Sequence, residues 1–157
     1  VLEALPDVRV AAKANRGFMN RATRYLAGEA GVRQLLDIGT GIPTAPNLHQ
    51  IAQEQAPDAR VDNDPIVLAH ARALMVGTSE GRLDYIQADA AAPEKILEAA
   101  RDTLDFDEPI ALSGIALIHF MEHAYEVVST LMDALAPGPD PRHSRDRPSA
   151  GPSAVVR

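Results

Sequence analysis

Cysteine and tryptophan are absent from the 157 residues, and phenylalanine and tyrosine occur three times each. Without cysteine there is no disulfide framework and no zinc–thiolate site. That composition suits a reducing cytoplasm, where the chain is expected to reside. Aromatics at 4% provide no stacking platform for single-stranded nucleic acid. Positive charge is also short: 15 Lys and Arg against 22 Asp and Glu leave −7, which disfavours a broad field for nucleic acid. No apolar run approaches the roughly 18 residues of a membrane span, and no charged-then-apolar leader opens the chain, so no membrane role is expected. The 46% apolar fraction and the length suit one domain with one core.

Apolar residues Val8, Ala11, Phe18, Ala22 and Tyr25 recur at helical steps and predict an amphipathic helix over 8–26 with that face inward. The burst Gln34-Leu35-Leu36-Asp37-Ile38 is too short for a helix, runs into Gly39-Thr40-Gly41, and reads as a buried strand entering a tight turn. Pro46 and Asn47 open a second helix with Leu48, Ile51, Ala52 and Ala56 on one face. A scant second strand, Ala59-Arg60-Val61, precedes Asp64, which reads as a helix N-cap with Pro65 in the first turn. That helix would turn Val67, Leu68, Ala71, Leu74 and Met75 inward. Leu83 to Ala88 is a third strand, Pro93 starts a helix with Ile96, Leu97 and Ala100 on one side, and Ile110 to Phe120 is a fourth strand. A last helix carries Ala124, Val127, Val128, Leu131 and Leu135. After Gly138 proline and arginine dominate, and residues 139–157 are expected to be a disordered tail on a domain spanning 1–138. Alternating strands and helices predict a parallel sheet covered on both faces, with its ligand beyond the carboxyl ends of the strands.

Three signals fall at those ends. Asp37-Ile38-Gly39-Thr40-Gly41 offers a sharp turn of bare main chain for a ligand to lie against. Asp62 stands 21 residues beyond Gly41, after the second strand, where a carboxylate can accept both hydroxyls of an adenosine ribose. Asp89 closes the third strand, where a carboxylate can accept from the adenine amine while the Ala90 N–H meets a ring nitrogen. Each alone reads equally well as a turn or cap residue; the three in order point to S-adenosylmethionine. The rival, a nicotinamide dinucleotide, calls for G-x-G-x-x-G, and the third glycine position is Thr44.

The strings Leu35-Leu36-Asp37-Ile38-Gly39-Thr40-Gly41-Ile42-Pro43-Thr44 and Val61-Asp62-Asn63-Asp64-Pro65, with the helix Ala14 to Leu26 and Tyr85-Ile86-Gln87-Ala88-Asp89, resemble a bacterial family of S-adenosylmethionine-dependent methyltransferases long catalogued as a domain of unknown function. The likeness runs from about Leu2 to Gly138. It implies the α/β, Rossmann-like Class I methyltransferase fold: three layers, αβα, around a mostly parallel sheet. It also implies S-adenosyl-L-methionine as cofactor, with Asp37, Gly39 and Gly41 at its methionine end, Asp62 at the ribose and Asp89 at the adenine. Thr40, Asn63 and Ala90 flank these positions. The reaction implied is direct methyl displacement onto a small-molecule acceptor. The alternatives are a non-catalytic remnant of such an enzyme and a NAD-binding oxidoreductase.

Relative to that family the second strand looks shortened, Ser113-Gly114 interrupts the fourth, and later strands are replaced by the tail, as a truncation or frameshift after Gly138 would produce. About four of seven strands are expected. The fourth would then have an open edge, through which copies of the chain could associate.

His119-Phe120-Met121-Glu122-His123 matches a zinc motif that works only with both histidines on one helix; with His119 ending a strand, no metal is expected. His119 and Tyr125 lie near the expected acceptor side, but no catalytic base is assigned. Arg9, Lys13, Arg16 and Arg24 read as a solvated helix face, with Arg16 also placed to meet the cofactor's carboxylate.

Overall fold

Every residue of Gln34-Leu35-Leu36-Asp37-Ile38 is buried, which a strand achieves only when both faces of its sheet are covered. In the computed structural model this run is the central strand β1 (Gln34–Ile38); the structure describes residues 6–39, 45–64, 77–86, 88–115, 117–135 and 155–156. β1 pairs in parallel with β2 (Arg60–Asp64) and, on its other side, with β4 (Ile110–Ser113). β3 (Arg82–Tyr85) lies outside β2, and β5 (Val155–Val156) lies outside β4, giving the order β3-β2-β1-β4-β5.

Alternation along the strands divides the core into two layers. Leu35, Val61 and Ala111 face α1 (Pro6–Arg24), the π-helical turn Tyr25–Glu29 and α2 (Leu48–Gln55), packing with Leu26, Ala27, Leu48 and Ala52. Leu36, Ile38, Ile110 and Leu112 face α3 (Pro93–Ala100) and α4 (Ala124–Ala134), packing with Ile96, Leu97, Val127 and Leu131. The three-layer arrangement is the one expected. The α3 helix begins at Pro93, whose missing N–H costs nothing in a first turn. At the start of α2 the Asn47 N–H donates to Gln50 Oε1 at 2.7 Å.

Several boundaries differ from expectation. β2 extends through Asp62, Asn63 and Asp64, because hydrogen bonding to β1 on one side and β3 on the other holds polar residues in the ladder. β3 stops at Tyr85, leaving Asp89 four residues beyond it rather than at its end. β4 stops at Ser113. At Gly114 the chain turns and Ile118 folds back so closely that an added β-carbon would lie 2.5 Å from Ile118 Cδ1. Residues 118–120 form a short 3-10 turn instead of more strand.

Along α1 and the π turn that continues it the inward face is Met19, Thr23, Leu26 and Ala27, while Phe18 and Tyr25 are 41% and 56% exposed. The helix carries two apolar stripes. The π turn, closed by Ala30 N–H to the Tyr25 carbonyl at 2.9 Å, inserts a residue that brings Leu26 and Ala27 onto the sheet.

The outer edge of β4, expected to be bare, pairs Leu112 with Val155 and Ser113 with Val156. The rest of the proline–arginine tail, the expected helix over 65–76 and the turn residues 40–44 lie outside the described residues. Among the described residues no helix is long and apolar enough to cross a membrane.

Candidate functional site

An open parallel sheet forms a crevice where two neighbouring strands send their connections to opposite faces, beyond their carboxyl ends. Here that place lies between β1 and β4. The chain leaves β1 for α2 on one face and leaves β4 for α4 on the other. The rims are therefore Ile38-Gly39 and Ser113-Gly114.

Gly39 adopts φ +75°, a left-handed conformation that glycine takes without penalty. Asp37, just before it, is 5% exposed and sits level with Asn63 on one side and Ser113 on the other. The Ser113 hydroxyl is buried and has no hydrogen-bond partner among the described residues. A buried hydroxyl without a partner costs about 1–3 kcal/mol, so it marks a place where a polar ligand group would be welcome. Leu117 lies over Gly39, and its side chain fills the space where a β-carbon would be. Arg16 donates to the Pro46 carbonyl at 3.0 Å, tying α1 to the residue before the N-cap of α2. Thr40 and Gly41 lie outside the described residues.

The adenosine-side residues are arranged differently from expectation. Asp62 is not at a strand end: it is fully buried within β2, level with Leu36 and Asp84. Asn63 follows, level with Asp37 and Tyr85, and Asp64 closes the strand level with Ile38. Asp89 is exposed in the turn before α3, where one carboxylate oxygen accepts the Ala91 N–H at 2.9 Å and its carbonyl accepts the Ala92 N–H at 2.8 Å. Its other oxygen accepts no hydrogen bond among the described residues. Ala90 is half-buried against the α3–α4 layer. Thus Asp37, Gly39 and Ser113 meet at one crevice, Asp64 ends β2 beside Ile38, and Asp62 lies inside the sheet. Ser113 and Asp64 are two residues of this end that the sequence pattern marks only as a strand interruption and a helix N-cap. The signal for Ser113 was a lone hydroxyl in an apolar run.

The two histidines of the zinc-like motif fall in different elements. His119 belongs to the 3-10 turn and His123 is the N-cap of α4, with φ 57°. The His123 imidazole is 4.0 Å from Glu126, both largely exposed. Phe120 and Tyr125 are about four-fifths exposed on the same segment.

Burial, and secondarily the Asp84 carboxylate, push the Tyr85 phenol up to about 12 from its ordinary 10.0. The folded state thus holds this proton more tightly than the unfolded chain does. Stability from this group is present below pH 10 and declines as pH rises from 10 to 12. In an ultraviolet titration, the difference between the wild type and Tyr85→Phe should show one phenol ionising near 12, and Asp84→Asn should lower that midpoint. A midpoint near 10 would contradict the placement of Tyr85.

Residues 1–145 match the model of the S-adenosyl methyltransferase family. A DUF574-family protein from Streptomyces avermitilis superposes with a TM-score of 0.81 at 46% identity, over 87% of this chain and 55% of its own. A candidate methyltransferase from Thermobifida fusca superposes with a TM-score of 0.76 at 32% identity, over 98% of this chain and 66% of its own. This chain thus spans between about half and two thirds of the length of these relatives. No curated protein sequence matches it. The glycine turn at the switch point of a parallel sheet, the family match over most of the chain and the likeness to these two structures lead to one conclusion: the chain belongs to the S-adenosyl methyltransferase family.

Proposed function

We propose that the crevice beyond β1 and β4 binds S-adenosylmethionine and serves direct methyl transfer to a small-molecule acceptor. The observation that carries this reading is the left-handed Gly39 turn at the end of β1, with the Ser113 hydroxyl, buried and without a hydrogen-bond partner among the described residues, on the neighbouring strand at the switch point. The donor set fits the group in kind. Aspartates stand at or beyond the ends of β2 and β3, a residue type that suits ribose hydroxyls and an adenine amine, and Arg16, bonded to the Pro46 carbonyl, is a cation available to a carboxylate. When bound, the cofactor supplies an activated methyl group, so the chain's task is alignment and exclusion of water rather than activation. Leu117 and Ile118 supply the apolar cover over the crevice, and Leu117 must yield to any ligand crossing Gly39.

The reading moves the ribose role from Asp62 to Asp64. Asp62 is buried within β2, and Asp64 is the residue that closes the strand. Asp64→Ala should weaken S-adenosylhomocysteine roughly tenfold or more, the value of charge-assisted hydrogen bonds to hydroxyls. Asp62→Asn, provided the melt shows a folded chain, should leave affinity within about twofold. The reverse ranking would return the role to Asp62. The burial of Asp62 favours a second reading, a remnant that folds but does not hold the cofactor. In that case neither variant changes anything, because the wild type does not respond.

A further inference from the structure

At the opposite end of the sheet from the crevice, the amino ends of β2 and β3 and the segment after α3 line an open cleft of about 420 Å³. Arg60 and Arg82 both line it. They are register partners on adjacent parallel strands, so their side chains leave the same face of the sheet from backbones about 4.8 Å apart. Both are exposed, and neither forms an ion pair among the described residues. Two guanidinium groups side by side repel, and an oxyanion bridging them removes that cost while accepting paired N–H bonds. A third arginine, Arg101, lines the same cleft with its guanidinium over the Phe106 ring, 4.4 Å from the centroid. Stacking restrains the side chain while leaving its N–H groups available.

The remaining polar lining is Asp102, Asp105 and Asp107 with Thr103, so it is mostly acidic. This wall is fixed in place. Gln34, 4% exposed at the start of β1, donates to the Asp105 carbonyl at 2.8 Å and accepts the Asp105 N–H at 2.7 Å. One Asp105 carboxylate oxygen accepts the Asp107 N–H at 3.0 Å. Carboxylates on one wall repel a polyanion such as a nucleic-acid backbone, but they accept hydroxyl donors well. The cleft therefore matches a ligand with one compact anionic group and neighbouring hydroxyls, in the volume range of small-molecule sites.

We propose that this cleft binds a small phosphomonoester of a polyol, a sugar phosphate or nucleoside monophosphate, with phosphate on Arg60 and Arg82 and hydroxyls on Asp102 and Asp105. The site does not depend on the methyltransferase reading, since it lies at the other end of the sheet.

Calorimetric titration of the full chain with ribose 5-phosphate, adenosine monophosphate, inorganic phosphate and ribose tests it. Saturable binding of either phosphomonoester is expected, roughly tenfold or more tighter than inorganic phosphate, with ribose giving no signal. The tighter of the two identifies the source. Arg82→Gln and Arg101→Gln should each weaken the phosphomonoester by roughly tenfold, and Asp102→Asn should weaken it without affecting inorganic phosphate. Arg21→Gln, on α1 and away from the cleft, should change nothing. Thermal melts identify any variant that fails to fold, and the surviving arginine variant then decides. Absence of saturable binding, equal affinity for phosphate and phosphomonoester, or binding that survives in the folded arginine variants would overturn the proposal. So would tight, salt-sensitive heparin binding without any response to the phosphomonoesters.

Discussion

Replacing Gly39 by alanine should destabilise the chain by about 3 kcal/mol, from two separable causes. The first is backbone: at φ +75° an L-residue costs roughly 1–2 kcal/mol. The second is steric: the new β-carbon would meet Leu117 at 2.5 Å from Cδ2, 2.9 Å from Cβ and 3.0 Å from Cγ. Crowding of that kind in a packed core typically costs about 1–3 kcal/mol. Adding Leu117→Ala removes Cγ and Cδ2 but leaves the Leu117 β-carbon and the strained φ, so only part of the loss should return. Urea midpoints of the two single variants and the double variant measure both terms. A Gly39→Ala loss under about 1 kcal/mol would mean that the turn is not left-handed.

Leu36→Ala should cost about 3–4 kcal/mol. Leu36 is fully buried on the central strand and shares its cluster with Ile38, Ile96, Ile110, Leu112 and Leu131 from both flanking helices and the neighbouring strand. Neighbours on a hydrogen-bonded sheet cannot close over the cavity, so little of the loss is recovered by relaxation. Set against a typical total of roughly 5–15 kcal/mol, this is enough to leave a substantial unfolded population in a small domain. Val10→Ala, at a position 66% exposed, should stay within about 0.5 kcal/mol. Urea unfolding of both variants checks the contrast. Equal effects would contradict the assignment of β1 to the centre of the sheet.

What was legible in the sequence follows the strength of the local pattern. β1 was readable because five consecutive positions, three of them apolar and running straight into Gly39, are too short for a helix and leave a buried strand. The α3 and α4 helices were readable because proline, or a lone stripe of Val127, Val128 and Leu131, admits one face only. β2 was not, because Asp62, Asn63 and Asp64 look like a turn; they become strand through pairing with residues 26 positions away in sequence on β1. That same pairing places Asp62 inside the strand rather than after it, a depth that the local sequence does not show. α1 offered two stripes of similar quality, and the π turn that selects between them has no sequence signature. The end of β4 depends on Ile118 folding onto Gly114, a long side chain over a glycine that composition alone does not pair. The glycine turn itself was legible, since Gly39 stands where a strand must reverse direction sharply.

Isothermal titration of the purified chain with S-adenosylhomocysteine and, separately, with NAD addresses the central claim most directly. The three-part signal and the crevice at the β1–β4 switch point predict saturable heat with S-adenosylhomocysteine, abolished or weakened in Asp64→Ala, and none with NAD. Saturable NAD binding with no response to S-adenosylhomocysteine would contradict the account, because the crevice would then be a dinucleotide site despite Thr44 in the third glycine position.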